Sequence, residues 1–443
     1  MKIQLSDHFT YGRLLRFTLP SMFMMIFTSI YGVVDGFFVS NYVGATPFAA
    51  LNLIIPFIMI FSAIGFMLGS GGSALVAVNL GMGKEKRAKE IFSMILFVVI
   101  VLGVIFTIVG IIATPKVAVL LGASEEMLPY CIIYGRVCFI GLVPFMLQSC
   151  FQTFMITAEK PQLGLLFIVA AGVTNMVLDA LFMGVFGWGL WSAAAATSIG
   201  YCVGGFLPLF YFIAPNSSKL HMCKTKLYKK ELLQAASNGS SEFLSNVSLS
   251  VVTMLYNYQL MRFAGQNGVS AYGIIMYTNF IFVGTFLGYS MGSSPVASYH
   301  LGAGNTKELK NIFTKSIRLI SVAGVAMTLI SFFAARPMAY IFASYDAELL
   351  DMTTEAIRIY AFSFLFMGFN IYGSAFFTAM NNGPVSALIS FMRTMVFEVL
   401  AVLCLPMFLG LHGIWGAVIV AELGALVITV SCFVKNRKRY HYM

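Results

Sequence analysis

Stretches of about 20 predominantly apolar residues recur along the whole chain, and this repetition limits what the chain can fold into. A helix of roughly 20 residues crosses the hydrocarbon core of a bilayer, and in lipid every backbone hydrogen bond must be made within the protein. The pattern therefore predicts an all-α membrane protein of twelve transmembrane helices. These cover residues 14–38, 48–74, 91–113, 127–155, 161–184, 190–213, 234–262, 269–297, 312–334, 352–378, 384–408 and 412–434.

Lysine and arginine are concentrated in alternate loops. They precede helix 1, follow helices 2 and 8, fill the loop between helices 6 and 7, and end the chain, whereas the other connections carry few of them. By the positive-inside rule, both termini and the central loop are predicted to be cytoplasmic. This topology accounts for the net charge of +10 without a nucleic-acid partner.

One half of the sequence repeats the other. The motif Leu80-Gly81-Met82-Gly83 reappears as Leu301-Gly302-Ala303-Gly304, a shift of 221 residues. Each half then holds six helices, and because six is even, the halves enter the membrane in the same orientation. We predict an N-terminal lobe (1–213), a cytoplasmic loop (214–233) and a C-terminal lobe (234–443), related by a pseudo-two-fold axis along the membrane normal.

Two such lobes that rock about a shared cleft expose a midplane site to each side in turn, which predicts a secondary transporter. A channel or a scaffold is the alternative for a duplicated bundle. An enzyme embedded in the membrane needs a nucleophile with its base, or a set of metal ligands, inside the bilayer. The sequence presents neither, so no enzyme is expected.

Ionisable residues inside the predicted helices are few. On insertion scales each costs roughly 2.5–3.5 kcal/mol at the centre of a helix, so each requires a reason. Arg136 and Arg358 occupy near-equivalent places in the two halves, which favours a structural role. The others are Asp35, Asp179, Glu242, Arg393, Glu398 and Glu422.

An oxygen-rich cluster is predicted in the N-terminal half. Asn175 and Asp179 are one helical turn apart on the same face, and Thr197 follows a run of alanines that permits close helix approach. Carboxylate, amide and hydroxyl oxygens suit Na⁺, and a buried carboxylate can instead carry H⁺. The alternative is a polar network that holds helices together. Asp35, in helix 1, is either a second functional carboxylate inside the membrane or lies hydrated near the outer interface.

In the C-terminal half, Glu242 is the preferred residue for meeting a cationic substrate, unless it lies hydrated at a helix start. Arg393 and Glu398 are five apart and do not share an α-helical face. Glu422 can pair with Arg393, either structurally or in substrate binding. Tyr31, one turn before Asp35, is a further substrate-binding candidate.

Several of these segments together resemble a known family, the multidrug and toxic compound extrusion (MATE) transporters. They are the Asp35 helix, the Leu80-Gly81-Met82-Gly83 loop with its repeat in the C-terminal half, Ala158-Glu159-Lys160-Pro161, and Thr174-Asn175 with Asp179. The set Asp35, Asn175, Asp179 and Thr197 is similar to the cation site of the DinF-like branch. The resemblance implies the MATE fold and export of cationic or amphipathic compounds, driven by inward movement of H⁺ or Na⁺.

The same resemblance implies a monomer in the cytoplasmic membrane of a bacterium, in contact with lipid. Its partners are expected to be small-molecule drugs or organic cations, and it needs no cofactor beyond the coupling ion. Flippases for polyprenyl-linked saccharides share the fold of this superfamily and are the alternative function. A flippase of this kind should line its cleft with cationic residues for a pyrophosphate, whereas the candidates here are mainly carboxylates.

Overall fold

A computed structural model describes residues 3–344 and 346–443, and the regular elements in this part of the chain are helical. The α-helices are α1 (Tyr11–Tyr42), α2 (Ala45–Gly81), α3 (Glu85–Leu120), α4 (Leu128–Ile140), α5 (Leu142–Thr157), α6 (Pro161–Asp179), α7 (Leu190–Ile213), α8 (Lys229–Gly302), α9 (Thr306–Phe333), α10 (Ala335–Ala343), α11 (Ala347–Ala361), α12 (Phe364–Ala379), α13 (Gly383–Phe391), α14 (Val399–Cys404) and α15 (Pro406–Tyr440). Short π-helical segments, Ala180–Val185 and Met392–Glu398, follow α6 and α13.

Twelve transmembrane passes can be traced through these helices. Among the described residues, nine helices are long and apolar enough to span a membrane, and two bent pairs, α4 with α5 (56°) and α11 with α12 (52°), add one span each. Helix α8 has 74 residues, or about 110 Å at 1.5 Å per residue, which is too long for one span. Gly265 breaks it with a positive φ of 59°, so it supplies two spans.

Several helices begin before the predicted boundaries because charged turns project beyond the apolar windows. The central loop was predicted to reach residue 233, but α8 already begins at Lys229. Helix α3 likewise begins at Glu85 rather than at residue 91. Hydropathy marks where the lipid ends, and a helix continues past that point because its backbone hydrogen bonds do not depend on lipid.

Two buried hydrophobic clusters form the cores of the two lobes. One is built largely from α2 to α7 and includes Phe92, Phe154 and Phe212. The other is built largely from α8 to α15, and Phe9 and Phe17 from the start of the chain also belong to it. The N-terminal region of the chain therefore packs into the core of the opposite lobe.

The repeated glycine motif places its two copies against each other. A Cβ atom added to Gly81 would collide with the carbonyl oxygen of Tyr299, and one added to Gly302 would collide with that of Val78. These contacts are reciprocal because each pair is related by the 221-residue shift. The motif therefore lies at the pseudo-two-fold axis, where only glycine lets α2 and α8 approach so closely.

We call the side of the molecule that carries the loops after α2 and α8, the central loop and the end of α15 the basic end, after its lysines and arginines. The lobes are in contact here. Gly292 of α8 lies against Thr18 of α1, and Gly71 of α2 lies against Ala235 at the start of α8. Towards the opposite end, α1, α8 and α10 line an apolar cavity of about 360 Å³ beside Ser29 and Tyr277. The lobes thus meet at the basic end and part beyond it.

Candidate functional site

The structure brings the predicted oxygen cluster together from three helices. We use this name for Asp35 of α1, Asn175 and Asp179 of α6, and Thr197 of α7. The Thr197 hydroxyl donates to Asp35 Oδ1 at 3.4 Å, and Asn175 Nδ2 donates to Thr197 Oγ1 at 3.3 Å. The carboxyl groups of Asp35 and Asp179 also lie within interaction range of each other.

Small residues make this arrangement possible. A Cβ atom added to Gly200 of α7 would lie 3.1 Å from both the Ala171 carbonyl oxygen and the Asn175 Cβ, so α6 and α7 pack at close range. Helix α6 ends at Asp179 and a π-helical segment follows at once. Such segments have a wider turn and are frequent at functional sites.

Three oxygen atoms of the cluster have no hydrogen-bond donor among the described residues. They are both carboxylate oxygens of Asp179 and Oδ1 of Asn175, and their side chains are only 0% and 2% exposed. A buried acceptor without a donor is costly, roughly 1–3 kcal/mol, and more when it is charged. A bound hard cation or a proton removes this cost, so these oxygen atoms can serve as ligands for Na⁺ or as the site of a bound H⁺.

Aromatic residues surround Asp35 within the N-terminal lobe. Tyr31 lies beside Gln148 and Asp35, and Tyr134 and Tyr201 lie within electrostatic range of the same carboxylate. Tyr31, predicted as a substrate contact, is therefore placed next to the oxygen cluster. Asp35 itself is half-buried and contacts Thr197, so the structure does not place it in open water near the interface.

A second polar site occupies the cleft between the lobes, which we call the central cavity. It has a volume of about 140 Å³ and includes the carboxylate of Glu242. Glu242 lies thirteen residues into α8, about 20 Å from its start at Lys229, rather than at a hydrated helix start. In residues 3–344 and 346–443, no hydrogen bond or ion pair engages this carboxylate.

The lining of the central cavity follows the repeat. Several lining residues form pairs separated by 221 positions, one from each lobe: Phe66 with Leu287, Ser70 with Met291, Ser73 with Ser294, and Met25 with Asn246. The cavity therefore lies on the pseudo-two-fold axis. The carboxylate breaks this symmetry, because the position equivalent to Glu242 is Ser21.

The remaining charged candidates form a network inside the C-terminal lobe. Arg393 Nη2 lies 2.7 Å from Glu422 Oε1, and its Nε donates to the same oxygen at 2.8 Å. Asn370 Nδ2 donates to Glu422 Oε2 at 2.8 Å, and Thr429 donates to Asn370 Oδ1 at 2.8 Å. Because Glu422 is satisfied on both oxygens, the geometry favours the structural ion pair over a substrate contact.

Glu398 lies close to this network. The π-helical segment Met392–Glu398 contains both Arg393 and Glu398, and its i to i+5 geometry places residues five apart about one turn from each other. The expectation that the two do not share a face assumed α-helical geometry, which this segment does not have. Its consequence, that a direct pair between them is not assured, agrees with the pairing of Arg393 with Glu422. Glu398 lies in electrostatic range of Arg393, Tyr256 and Tyr360, and it is not among the residues that line the central cavity.

The buried ion pair carries a first testable prediction. Replacing Arg393 with Met should lower the free energy of unfolding by about 3–5 kcal/mol, because Glu422 is left buried without its partner. Replacing Arg336, whose contact with Asp351 is 3.7 Å long and largely exposed, should cost less than about 1 kcal/mol. Thermal unfolding of the purified variants in detergent measures both. Equal losses of unfolding free energy in the two variants would show that the buried Arg393–Glu422 pair matters no more to stability than the exposed Arg336–Asp351 contact.

Sequence reasoning missed several members of these sites. Asn370 and Thr429 in the C-terminal lobe are polar residues in apolar helices, and that signal was available. Asn246, one helical turn from Glu242, is likewise a polar residue in an apolar helix and could have been identified from the sequence. Tyr134 and Tyr201 carried no signal, because tyrosines are common in such helices and only the fold brings these two to Asp35.

A family model described as MatE matches residues 20–181 and 243–403, one segment in each half of the chain. The chain is also similar to proteins named multidrug export protein MepA. The one from Staphylococcus saprophyticus is 23% identical over 414 residues, covering 92% of this chain and 90% of that protein. The one from Staphylococcus aureus is 23% identical over 416 residues, with the same coverage of both.

Solved structures of MATE proteins show the same fold. One in complex with MaL6 superimposes with a TM-score of 0.91 at 22% identity, covering 98% of this chain and 97% of that one. A multidrug resistance MATE family transporter of the MOP superfamily, solved in an outward-facing conformation, gives a TM-score of 0.90 at the same identity and coverage.

Proposed function

This chain belongs to the MatE family, and from that membership we propose that it is a secondary active multidrug exporter. It exchanges cationic or amphipathic compounds for H⁺ or Na⁺ by alternating access. The similarity to the staphylococcal multidrug export proteins supports export of several drugs. As a transporter it is not an enzyme.

The observation that carries the proposal is the unpaired Glu242 carboxylate in a cavity shared by both lobes. The Glu242 side chain is half-buried, and a carboxylate that is partly withdrawn from water favours a cationic partner, which an organic cation that enters the cavity supplies. Met25, Phe66 and Met291 provide an adaptable apolar lining for the rest of such a molecule. The cavity therefore selects for positive charge and tolerates different shapes.

The oxygen cluster is the proposed coupling site. Asp179 and Asn175 offer the unpaired oxygens, and Asp35 and Thr197 complete the set. Na⁺ bound there would be ligated by oxygen atoms alone, and H⁺ would be held by the two carboxyl groups. The cluster lies within the N-terminal lobe, whereas Glu242 comes from the C-terminal lobe, so ion and drug occupy separate sites.

Alternating access requires that the lobes separate at one end while they close at the other. The reciprocal glycine contacts at the basic end and the 360 Å³ cavity beyond them describe a molecule closed at the basic end. We propose that this end is cytoplasmic by the positive-inside rule, which makes the present state outward-facing. The protein then resides in the cytoplasmic membrane of a bacterium with both termini inside.

A polyprenyl-linked saccharide flippase is not favoured. A pyrophosphate needs cationic groups, and no lysine or arginine is among the described residues that line the central cavity. A lipid-flipping assay on the reconstituted protein distinguishes the two functions.

Drug efflux from membrane vesicles tests the proposed function. We expect efflux of an organic cation to follow an imposed ion gradient, and separate Na⁺ and pH gradients identify the ion. The matched control is the same vesicle with the gradient collapsed by an ionophore. Efflux that responds to neither gradient would contradict secondary transport.

A further inference from the structure

A short segment before α1 crosses the basic end and contacts both lobes. We call residues 3–10 the strap. On the N-terminal lobe, the Leu5 amide donates to Glu159 Oε1 at 2.9 Å, in the turn that precedes α6. The Leu5 side chain is 1% exposed, so the strap is packed against the protein.

On the C-terminal lobe, the strap is bound by the start of α9. The Phe9 amide donates to Glu308 Oε1 at 2.8 Å, and His8 Nδ1 lies 2.6 Å from Glu308 Oε2. Asn311 and Lys315 both donate to the Phe9 carbonyl, at 3.0 and 2.6 Å. Phe9 is fully buried in the core of this lobe.

The repeat places an equivalent contact on the other side of the axis. Subtracting 221 from Glu308 gives Arg87 in the first turn of α3, and Arg87 forms an ion pair with Glu231 in the first turn of α8. The Arg87 guanidinium also lies 3.6 Å from the centre of the Tyr228 ring. In both cases, the third helix of one lobe binds the N-terminal end of the first helix of the other lobe, or the residues just before it.

The two contacts are equivalent in position and opposite in charge. Glu308 binds backbone and imidazole donors, whereas Arg87 binds a carboxylate. Both are charge-assisted, which makes them stronger than neutral hydrogen bonds. Glu308 is only 8% exposed, and Arg87 is 31% exposed. The pair is thus a duplicated polar connection between the lobes, and weaker polar contacts such as Arg318 with the Tyr11 hydroxyl at 3.2 Å lie beside it.

We propose that Glu308 with the strap, and Arg87 with Glu231, form a reciprocal clasp that sets how often the basic end opens. The clasp rests on the alternating access proposed above. Opening the basic end moves the start of α1 away from α9 and the start of α8 away from α3, so both contacts must break. Their strength therefore sets the balance between the two states, without contact with drug or coupling ion.

Cysteine accessibility tests the clasp without drug or ion gradient. A reporter, Ser294→Cys in the central cavity, is placed in a variant that lacks the seven native cysteines. A membrane-impermeant maleimide applied from the basic side labels it only when that end is open. Glu308→Gln and Arg87→Gln should each raise the labelling rate roughly tenfold, the effect of losing one charge-assisted contact.

Two controls separate the clasp from general loosening. Glu355→Gln disrupts a Glu–His pair of similar length, 2.9 Å to His412, that is exposed at the opposite end, and it should leave the rate unchanged. The double variant Arg87→Gln with Glu231→Gln should raise the rate no more than either single variant, because both remove one contact. His8→Ala, a milder change in the strap, should give a smaller rise than Glu308→Gln.

The outcomes are distinct. Slow labelling of the wild type with the same or lower rates in Glu308→Gln and Arg87→Gln overturns the clasp and leaves alternating access intact. A reporter that is never labelled from the basic side, in the wild type or in any variant, contradicts both the clasp and the proposed function.

Discussion

Replacing Asp179 with Asn is expected to reduce ion-driven drug efflux to the level of vesicles without the transporter, while the protein remains folded in the membrane. Asparagine keeps the volume of the side chain, so the packing of α6 against α7 is preserved. It removes the charge that would attract Na⁺ and the group that would bind H⁺, and both carboxylate oxygens of Asp179 are otherwise unpaired among the described residues. Asp35→Asn should have the same effect. Efflux assays on equal amounts of reconstituted protein measure it.

The matched control for this prediction is Asp351→Asn. It makes the same chemical change at a side chain that is 71% exposed and far from the oxygen cluster in sequence, and efflux should be unaffected. Wild-type efflux in both Asp35→Asn and Asp179→Asn would mean that the cluster is a structural polar network.

Replacing Glu242 with Gln is expected to weaken transport of monovalent organic cations and spare neutral amphipathic compounds. A charge-assisted contact contributes about 1.5–3 kcal/mol, so the KM for a cation should rise by roughly 10- to 150-fold. A neutral compound loses no ionic contact, and its KM should stay within about twofold of the wild type, an effect of less than 0.5 kcal/mol. Initial efflux rates for a charged and an uncharged substrate, compared at equal protein, give the ratio.

Glu348→Gln, at an exposed position near the start of α11, is the control for this change. It should alter neither KM. If Glu242→Gln raised the KM values for charged and neutral compounds equally, the carboxylate would be shaping the cavity rather than selecting charge.

Much of the architecture follows from two features of the sequence. Apolar windows fix the number of passes, because lipid leaves helices as the structure that satisfies the backbone. The shift between Gly81 and Gly302 fixes the pairing of the lobes, and the structure places these two glycines at the axis. Spacing predicted only one pair of the oxygen cluster, since residues four apart share a helical face and Asn175 and Asp179 lie in a regular stretch of α6. The resemblance to MATE transporters, rather than spacing, brought Asp35 into the set with them and Thr197.

Other features depend on geometry that spacing does not encode. The π-helical segment at Met392–Glu398 changes which residues align, so α-helical spacing does not describe the relative positions of Arg393 and Glu398. The lining of the central cavity comes from helices far apart in sequence. Ser73 and Ser294 can be recognised as an equivalent pair of lining residues only when the position of the pseudo-two-fold axis is known. The strap, a polar segment outside the apolar windows, gave no hydropathy signal.

The two lobes share a scaffold but differ in their contents. The shift of 221 residues preserves the close contacts at the axis, and it pairs Glu242 with Ser21. In the proposed mechanism, the ion binds within the N-terminal lobe and the drug meets a carboxylate from the C-terminal lobe, so each ligand contacts a different lobe. This division allows the ion and the drug to favour different states of one symmetric motion.

Drug binding to purified protein, measured over a range of pH and Na⁺ concentration, tests this coupling most directly. We predict that the coupling ion weakens drug binding to the wild type, since each favours a different state. Asp179→Asn should still bind drug but with an affinity that no longer depends on the ion. An ion dependence that persists unchanged in both Asp179→Asn and Asp35→Asn would contradict the account.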